Sequence, residues 1–222
     1  MITDERTEAF IDSHGQGLTP FLSELEAKAK ADGVPIIRHP AQSLIRFILA
    51  DHQPLSILEI GAAVGFSSIF MATYGPADLR IDTIENYPKH IEAAGQNIEA
   101  AHLSDKINLI EGDAQDVIEE LAAGRKSYDM VFIDAAKAQY PSYLPVCKKL
   151  LRAGGILLSD NVLFDGDIVQ SRFAVRRRDR TIHARMREFL RAVTEDEELV
   201  TTILPIGDGM TLSVKTKEKT DK

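Results

Sequence analysis

The chain has 222 residues, with 26 Lys and Arg against 34 Asp and Glu, a formal net charge of −8. Apolar residues make up 44 % and charged residues 27 %, a globular composition that argues against a disordered chain. No stretch reaches the roughly 18 uninterrupted apolar residues of a membrane span, Met1-Ile-Thr-Asp-Glu-Arg6 lacks the layout of a secretory signal, and the single Cys147 permits neither an internal disulfide nor a cysteine-based zinc site. A single cytoplasmic domain with no membrane partner is expected, built as a helical extension over 1–52, a core over 53–215 and a frayed tail over 216–222.

The first fifty residues read as helices. Thr19 and Pro20 supply an N-cap and an N1 proline, Phe21, Leu22 and Leu25 an apolar stripe, and Gly33 a stop. Val34 to Ile37 is extended, and 41–50 is helical again. From Leu55 short apolar runs alternate with helical periods: strands at 56–60, 79–84, 106–110, 128–133 and 155–159, and helices at 66–73, 88–101, 116–123 and 140–151. This rhythm predicts βαβ units and a parallel sheet covered on both faces. From Arg172 to Arg191 eight arginines stand against two acids, Asp179 and Glu188, a net +6 that leaves −14 on the rest. Such a segment suits bidentate contact with phosphate or carboxylate, or else forms a solvated helix face. Strands at 199–206 and 210–215, joined through Gly207-Asp208-Gly209, close the sheet with an antiparallel hairpin. The histidines at 14, 39, 52, 90, 102 and 183 show no ligand spacing and are expected at the surface or at helix ends. Cys147 is expected as a small buried apolar residue, and Tyr143 in core packing.

Ligands of open α/β sheets bind beyond the carboxyl ends of the strands. The first such end carries Gly61-Ala62-Ala63-Val64-Gly65, a G-x-x-x-G spacing rather than the G-x-G-x-x-G of a pyrophosphate turn. A nicotinamide oxidoreductase is correspondingly the weakest of the readings. Glu85, 24 residues after Gly61, stands where a carboxylate accepts ribose hydroxyls, and Gly112-Asp113-Ala114 stands where an adenine ring would lie. With these three features the chain resembles the class I S-adenosylmethionine-dependent methyltransferases, a Rossmann-like α/β fold with a seven-stranded, mostly parallel sheet and an antiparallel C-terminal hairpin. The resemblance implies that Glu85 holds the ribose, Asp113 and Ala114 border the adenine, and Gly61, Gly65 and Ser67 contact the methionine part. Ile37, Glu59 and Asp134 are counted with these cofactor contacts.

Asp134, Asp160 and Asn161 end the fourth and fifth predicted strands. Two carboxylates and an amide oxygen are hard ligands suited to Mg²⁺, and Lys137 stands near enough in sequence to accept a proton. The alternative is an Asp160-Asn161 turn and a solvated lysine. The run Asp134-x-x-Lys137, then Asp160-Asn161-Val162-Leu163-Phe164-x-Gly166, resembles the cation-dependent O-methyltransferases of the catechol and caffeoyl-coenzyme-A group. By that resemblance Asp134, Asp160 and Asn161 are metal ligands, and Asp134 and Lys137 are catalytic, Lys137 as the base. Ala136 departs from the Asp-Ala-Asp-Lys of many plant members. Val34 to Ile36, Phe132 to Lys137, Asp160 to Phe164, the arginine cluster and Pro205 to Gly209 resemble the bacterial tRNA 5-hydroxyuridine methyltransferases. That resemblance implies methylation of the 5-hydroxyl of a wobble uridine in tRNA to 5-methoxyuridine, with Arg177, Arg178 and Arg180 as candidate RNA contacts. A small catechol-like phenol is the alternative acceptor. The family likeness also implies a homodimer.

Overall fold

The computed structural model describes residues 5–216. The tail expected to fray therefore lies outside the described residues except for Thr216, whose N–H donates to the Glu198 carbonyl at 2.8 Å. Seven strands form a sheet in the order β3-β2-β1-β4-β5-β7-β6, where β1 is Ser56–Ile60, β2 Arg80–Glu85, β3 Ile107–Glu111, β4 Tyr128–Ile133, β5 Leu151–Ser159, β6 Leu199–Leu204 and β7 Met210–Lys215. Among the described residues no helix is long and apolar enough to cross a membrane. Two compact units divide the chain, 5–117 and 118–216 among the described residues.

In the first unit three helices precede the sheet: α1 Glu5–Asp12, α2 Pro20–Ala31 and α3 His39–His52. Thr19 caps α2 by accepting from the Leu22 N–H, with Pro20 in the first turn and Leu22, Leu25 and Ala29 on its buried face. α1 falls within the first fifty residues expected to be helical. Strands β1, β2 and β3 pair in parallel, Ile57 against Ile81 and Ile81 against Ile107. Helices α4 Phe66–Tyr74 and α5 Pro88–Ala100 follow β1 and β2. α4 is buried from Phe66 to Ala72. Its end requires Gly75, because a Cβ there would come within 2.7 Å of the Leu79 side chain and the Met71 carbonyl.

The second unit holds α7 Tyr140–Leu150 and α8 Arg180–Glu195 with β4 to β7; α6, Ala114–Ala123, begins in the first unit and ends in the second. β4 and β5 are parallel, while β7 pairs antiparallel with both β5 and β6. β5 begins at Leu151, four residues before the expected Gly155. Its register against β4 shifts between Tyr128 and Met130, and Gly154 has a φ of +78°. Arg152 to Gly155 thus form a bulge within a strand where composition reads as a turn. α8 buries His183, Met186, Phe189 and Val193 at helical spacing. His183 is therefore a core residue of α8, against the expectation of a surface or helix-end histidine. Its Nε2 lies 3.1 Å from the Gln170 carbonyl, a partner thirteen residues away that no local pattern announces. Phe189 meets the buried Tyr140 ring edge-on, with centroids 5.4 Å apart.

A buried acid lies inside the first unit's sheet. Glu59 of β1 and Thr83 of β2 are register partners, both without solvent exposure, and the Thr83 hydroxyl donates to Glu59 Oε2 at 2.5 Å. Burial pushes the Glu59 carboxyl up to about 7, against the hydrogen bonds from Ser67, Thr83 and Ser68. The folded chain consequently holds this proton more tightly than the unfolded one. The stabilisation is complete below about pH 4.5 and is lost as pH rises through about 7. Urea unfolding at pH 5 and pH 8 is expected to show wild type losing about 2–3 kcal/mol more than Glu59→Gln. Equal losses in the two proteins would refute the buried-proton account.

Candidate active site

The glycine turn after β1 is shaped by three consecutive devices. Gly61, Ala63 and Gly65 adopt φ of +105°, +45° and +81°, and a Cβ on Gly65 would press on the Ala94 backbone at 3.4 Å. The N–H groups of Gly61 and Ala62 both donate to the Ile84 carbonyl at 3.0 Å. The Asn97 side chain donates to the Val64 carbonyl at 2.8 Å. Glu85 completes the turn: its Oε2 accepts from Ala63 N at 2.8 Å, and its Oε1 from the N–H groups of Asn86 and Tyr87 at 2.9 and 3.0 Å. A carboxylate offers about four lone-pair directions; the turn occupies three of those of Glu85, and His90 Nδ1 lies 3.6 Å from Oε2.

The other expected cofactor residues divide by accessibility. Asp113 is exposed, and its Oδ1 accepts from Gln115 N at 2.9 Å at the start of α6, while Ala114 beside it is half-buried. Gly112, with φ of +158°, brings this loop back to the Glu85 carbonyl at 3.0 Å. Ser67 and Ile37 are 8 % and 2 % exposed, and the Ile37 carbonyl accepts from Gln42 Nε2 at 3.0 Å. Glu59 has no exposed surface and acts on the turn through Ser67 and Ser68.

In the second unit, the chemistry-bearing residues gather where β4 and β5 end. Asp134 is half-buried and Asp160 is 3 % exposed. Asp160 N donates to the Ile133 carbonyl at 2.9 Å, which ties the two strand ends together. Asn161 takes a left-handed φ of +57°, and its N–H donates to Asp160 Oδ1 at 2.6 Å. Tyr140 was not foreseen here. Its buried hydroxyl accepts from Ala135 N at 3.3 Å and lies 3.1 Å from the Asp160 carbonyl and 3.3 Å from that of Ile133, donating to one of them. Burial and the charges of Asp134 and Asp160 hold the Tyr140 phenol well above its usual range.

Burial, then the Asp134 charge, and further the Asp208 charge push the Asp160 carboxyl up to about 7, against the Asn161 N–H and Lys137. Lys137 lies in a short turn, Lys137–Gln139, with its side chain 23 % exposed. Its Nζ is 3.3 Å from Asp208 Oδ2 and 5.1 Å from the centre of the Phe164 ring. The solvated-lysine alternative does not describe this arrangement. Among the described residues no three His, Cys, Asp or Glu side chains are grouped to hold a metal. The set expected from sequence has two carboxylates and an amide, and its hard oxygen donors, one of them buried among like charges, fit a divalent cation.

The arginines differ in their freedom. Arg177 and Arg178 stand exposed on the turn Arg177–Asp179 ahead of α8, with Arg178 3.6 Å from Asp179. Arg180 is tethered to its own loop, donating to the carbonyls of Val175 and Phe173 at 3.4 Å each. Arg185 and Arg191 pair with Glu188 and Glu195 on the same helix at 2.8 and 3.0 Å, and Arg187 donates to the Ile168 carbonyl at 3.1 Å. Cys147 is buried, its thiol pushed up to about 12 by burial, which removes it as a nucleophile.

The O-methyltransferase family matches residues 21–216. The chain is 34 % identical over 164 residues to a catechol O-methyltransferase of Mycobacterium tuberculosis, covering 73 % of this chain and 74 % of that protein. It is 31 % identical over 214 residues to the tapetum-specific methyltransferase 1 of Arabidopsis thaliana, covering 94 % and 83 %. The structure of the O-methyltransferase TomG of Streptomyces achromogenes, involved in tomaymycin synthesis and in complex with S-adenosylmethionine, matches with a TM-score of 0.82 at 26 % identity over 96 % of each chain. These likenesses leave no place for the nicotinamide reading. A glycine turn held by a strand-end glutamate, strand-end aspartates beside a lysine, and a family match across most of the chain agree: the chain belongs to the O-methyltransferase family and is an S-adenosylmethionine-dependent O-methyltransferase of the catechol and caffeoyl-coenzyme-A type.

Proposed function

We propose that the methyl acceptor is the 5-hydroxyl of a wobble 5-hydroxyuridine in tRNA, methylated with the aid of Mg²⁺ to give 5-methoxyuridine. The observation that carries this reading is the side-chain exposure of Arg172, Arg176, Arg177 and Arg178 on a chain whose net charge is −8. Exposed guanidinium groups gathered in one segment suit an RNA backbone. The sequence resemblance to tRNA 5-hydroxyuridine methyltransferases supports the same acceptor.

Within the first unit S-adenosylmethionine is assigned to Glu85, Asp113, Ala114, Gly61, Gly65, Ser67 and Ile37, with Glu59 supporting the turn from beneath. Asp134, Asp160 and Asn161 would hold Mg²⁺, whose Lewis acidity would lower the pKa of the acceptor hydroxyl. Lys137, having first released its own ammonium proton to solvent, takes the hydroxyl proton on Nζ as the neutral amine. The acceptor oxygen then forms its bond to the sulfonium methyl carbon as the carbon–sulfur bond breaks, the electron pair passing to sulfur. S-adenosylhomocysteine leaves. Tyr140 keeps the strand ends that carry Asp134 and Asp160 in fixed relation throughout. A homodimer is part of this reading, supported by the exposed Phe10, Ile11 and Phe47 on α1 and α3.

A small catechol-like phenol is the second reading, favoured by the named catechol O-methyltransferase relatives. The two separate on salt. Replacing Arg176, Arg177 and Arg178 together by Ala is expected to weaken binding of a 5-hydroxyuridine anticodon stem-loop by about tenfold or more at low salt. It should also flatten the log–log salt slope by about 2. Rapid methylation of catechol with no salt-sensitive stem-loop binding would decide for the phenol.

Metal dependence has its own test. Asp160→Asn is expected to lower turnover by more than about 100-fold while S-adenosylhomocysteine still raises the Tm. Full turnover in that variant under strong chelation would rule out the cation.

A further inference from the structure

Asp208 occupies the tip of the β6–β7 hairpin, in the Gly207-Asp208-Gly209 run whose composition announces only a turn. Turn aspartates ordinarily face water, yet Asp208 is 4 % exposed. Its backbone is anchored against the segment after β5: Leu163 N donates to the Asp208 carbonyl at 3.0 Å and Val162 N to the Gly209 carbonyl at 2.9 Å. Gly209 adopts a φ of +85°, and a Cβ there would overlap the Leu163 side chain, so no other residue lets the tip lie this close. The carboxylate is thus carried on a fixed support. Lys137 is the opposite case, a four-carbon stem on a single turn.

From that support Asp208 Oδ2 lies 3.3 Å from Lys137 Nζ, the two side chains being 5 % and 23 % exposed. A turn asparagine would serve the hairpin equally but would bring no charge to Nζ. We propose that Asp208 is a positioning residue for Lys137, fixing Nζ and balancing the positive charge it carries after taking the acceptor proton. This rests on the reading of Lys137 as the base.

Two measurements test it. In turnover of the 5-hydroxyuridine anticodon stem-loop, Asp208→Asn is expected to lower kcat about tenfold or more, with KM for S-adenosylmethionine within about twofold. Asp208→Glu should recover part of the loss, and in a Lys137→Ala background Asp208→Asn should cost less than about twofold. Trace acetylation with acetic anhydride, read by peptide mass spectrometry, should label Lys137 several times faster in Asp208→Asn than in wild type, other lysines being unchanged. Equal kcat losses in the two backgrounds, or unaltered labelling of Lys137, would overturn the proposal. If Lys137→Ala retains full turnover while labelling still responds to Asp208→Asn, the base assignment fails and the pairing stands. Should Asp208→Asn not fold, Asp208→Glu, which displaces the carboxylate by one methylene, carries the same comparison.

Discussion

Negative charge gathered out of water at the end of β5 is the constraint on which the second unit is organised. Asp160 is 3 % exposed, and the charges of Asp134 and Asp208 both press on it. An uncompensated buried carboxylate costs several kcal/mol, and the Asn161 N–H and Lys137 offset only part of that. Much of the local architecture reads as the means of tolerating this arrangement. The Tyr140 hydroxyl ties the ends of β4 and β5 through three backbone groups. Asn161 accepts a left-handed backbone so that its N–H reaches the Asp160 carboxylate. Like charges held together this firmly, with hard oxygen donors, are what supports the proposed cation.

The first unit uses carboxylates differently. Glu85 sits at a strand end as Asp160 does, but three backbone N–H groups satisfy it. Its charge is spent on shaping the glycine turn. Glu59 lies deeper, and burial pushes its carboxyl up to about 7. Two strand-end acids of similar appearance in sequence, Glu85 and Asp160, thus have different environments, one held by three main-chain N–H groups and one pressed on by neighbouring carboxylates. The first shapes a turn and the second has the perturbed environment of a reacting group. The whole-chain charge of −8 conceals this division.

What sequence could disclose follows the range of the interactions concerned. β1, β4 and β7 have the bounds read from their apolar runs, and α2 starts at its Thr19 cap, because these signals are local. Asp134, Asp160, Asn161 and Lys137 were legible because each stands at or just after a strand end. Asp208 was not: its partner Lys137 lies 71 positions earlier, and a DG pair at a hairpin tip already has a sufficient local explanation. Tyr140 was hidden for the same reason, being twenty positions from Asp160 and apparently only a helix start. The bulge opening β5 escaped because Gly154 and Gly155 read as a turn until the pairing with β4 is known.

The two candidate acceptors ask the same thing of the reacting groups, since a catechol and a 5-hydroxyuridine each present a hydroxyl beside a second oxygen. Discrimination between them must therefore reside outside Asp134, Asp160, Asn161 and Lys137. The arginine segment has the right division of labour. Arg180 and Arg187 are committed to backbone carbonyls, and Arg185 and Arg191 to glutamates on their own helix. These four belong to the scaffold. Arg172, Arg176 and Arg177 extend from the loop and turn ahead of α8 into solvent. Holding some guanidinium groups in the fold while exposing others costs the loop little stability. On the proposed tRNA reading, this division would let recognition of the RNA change without disturbing the reacting groups.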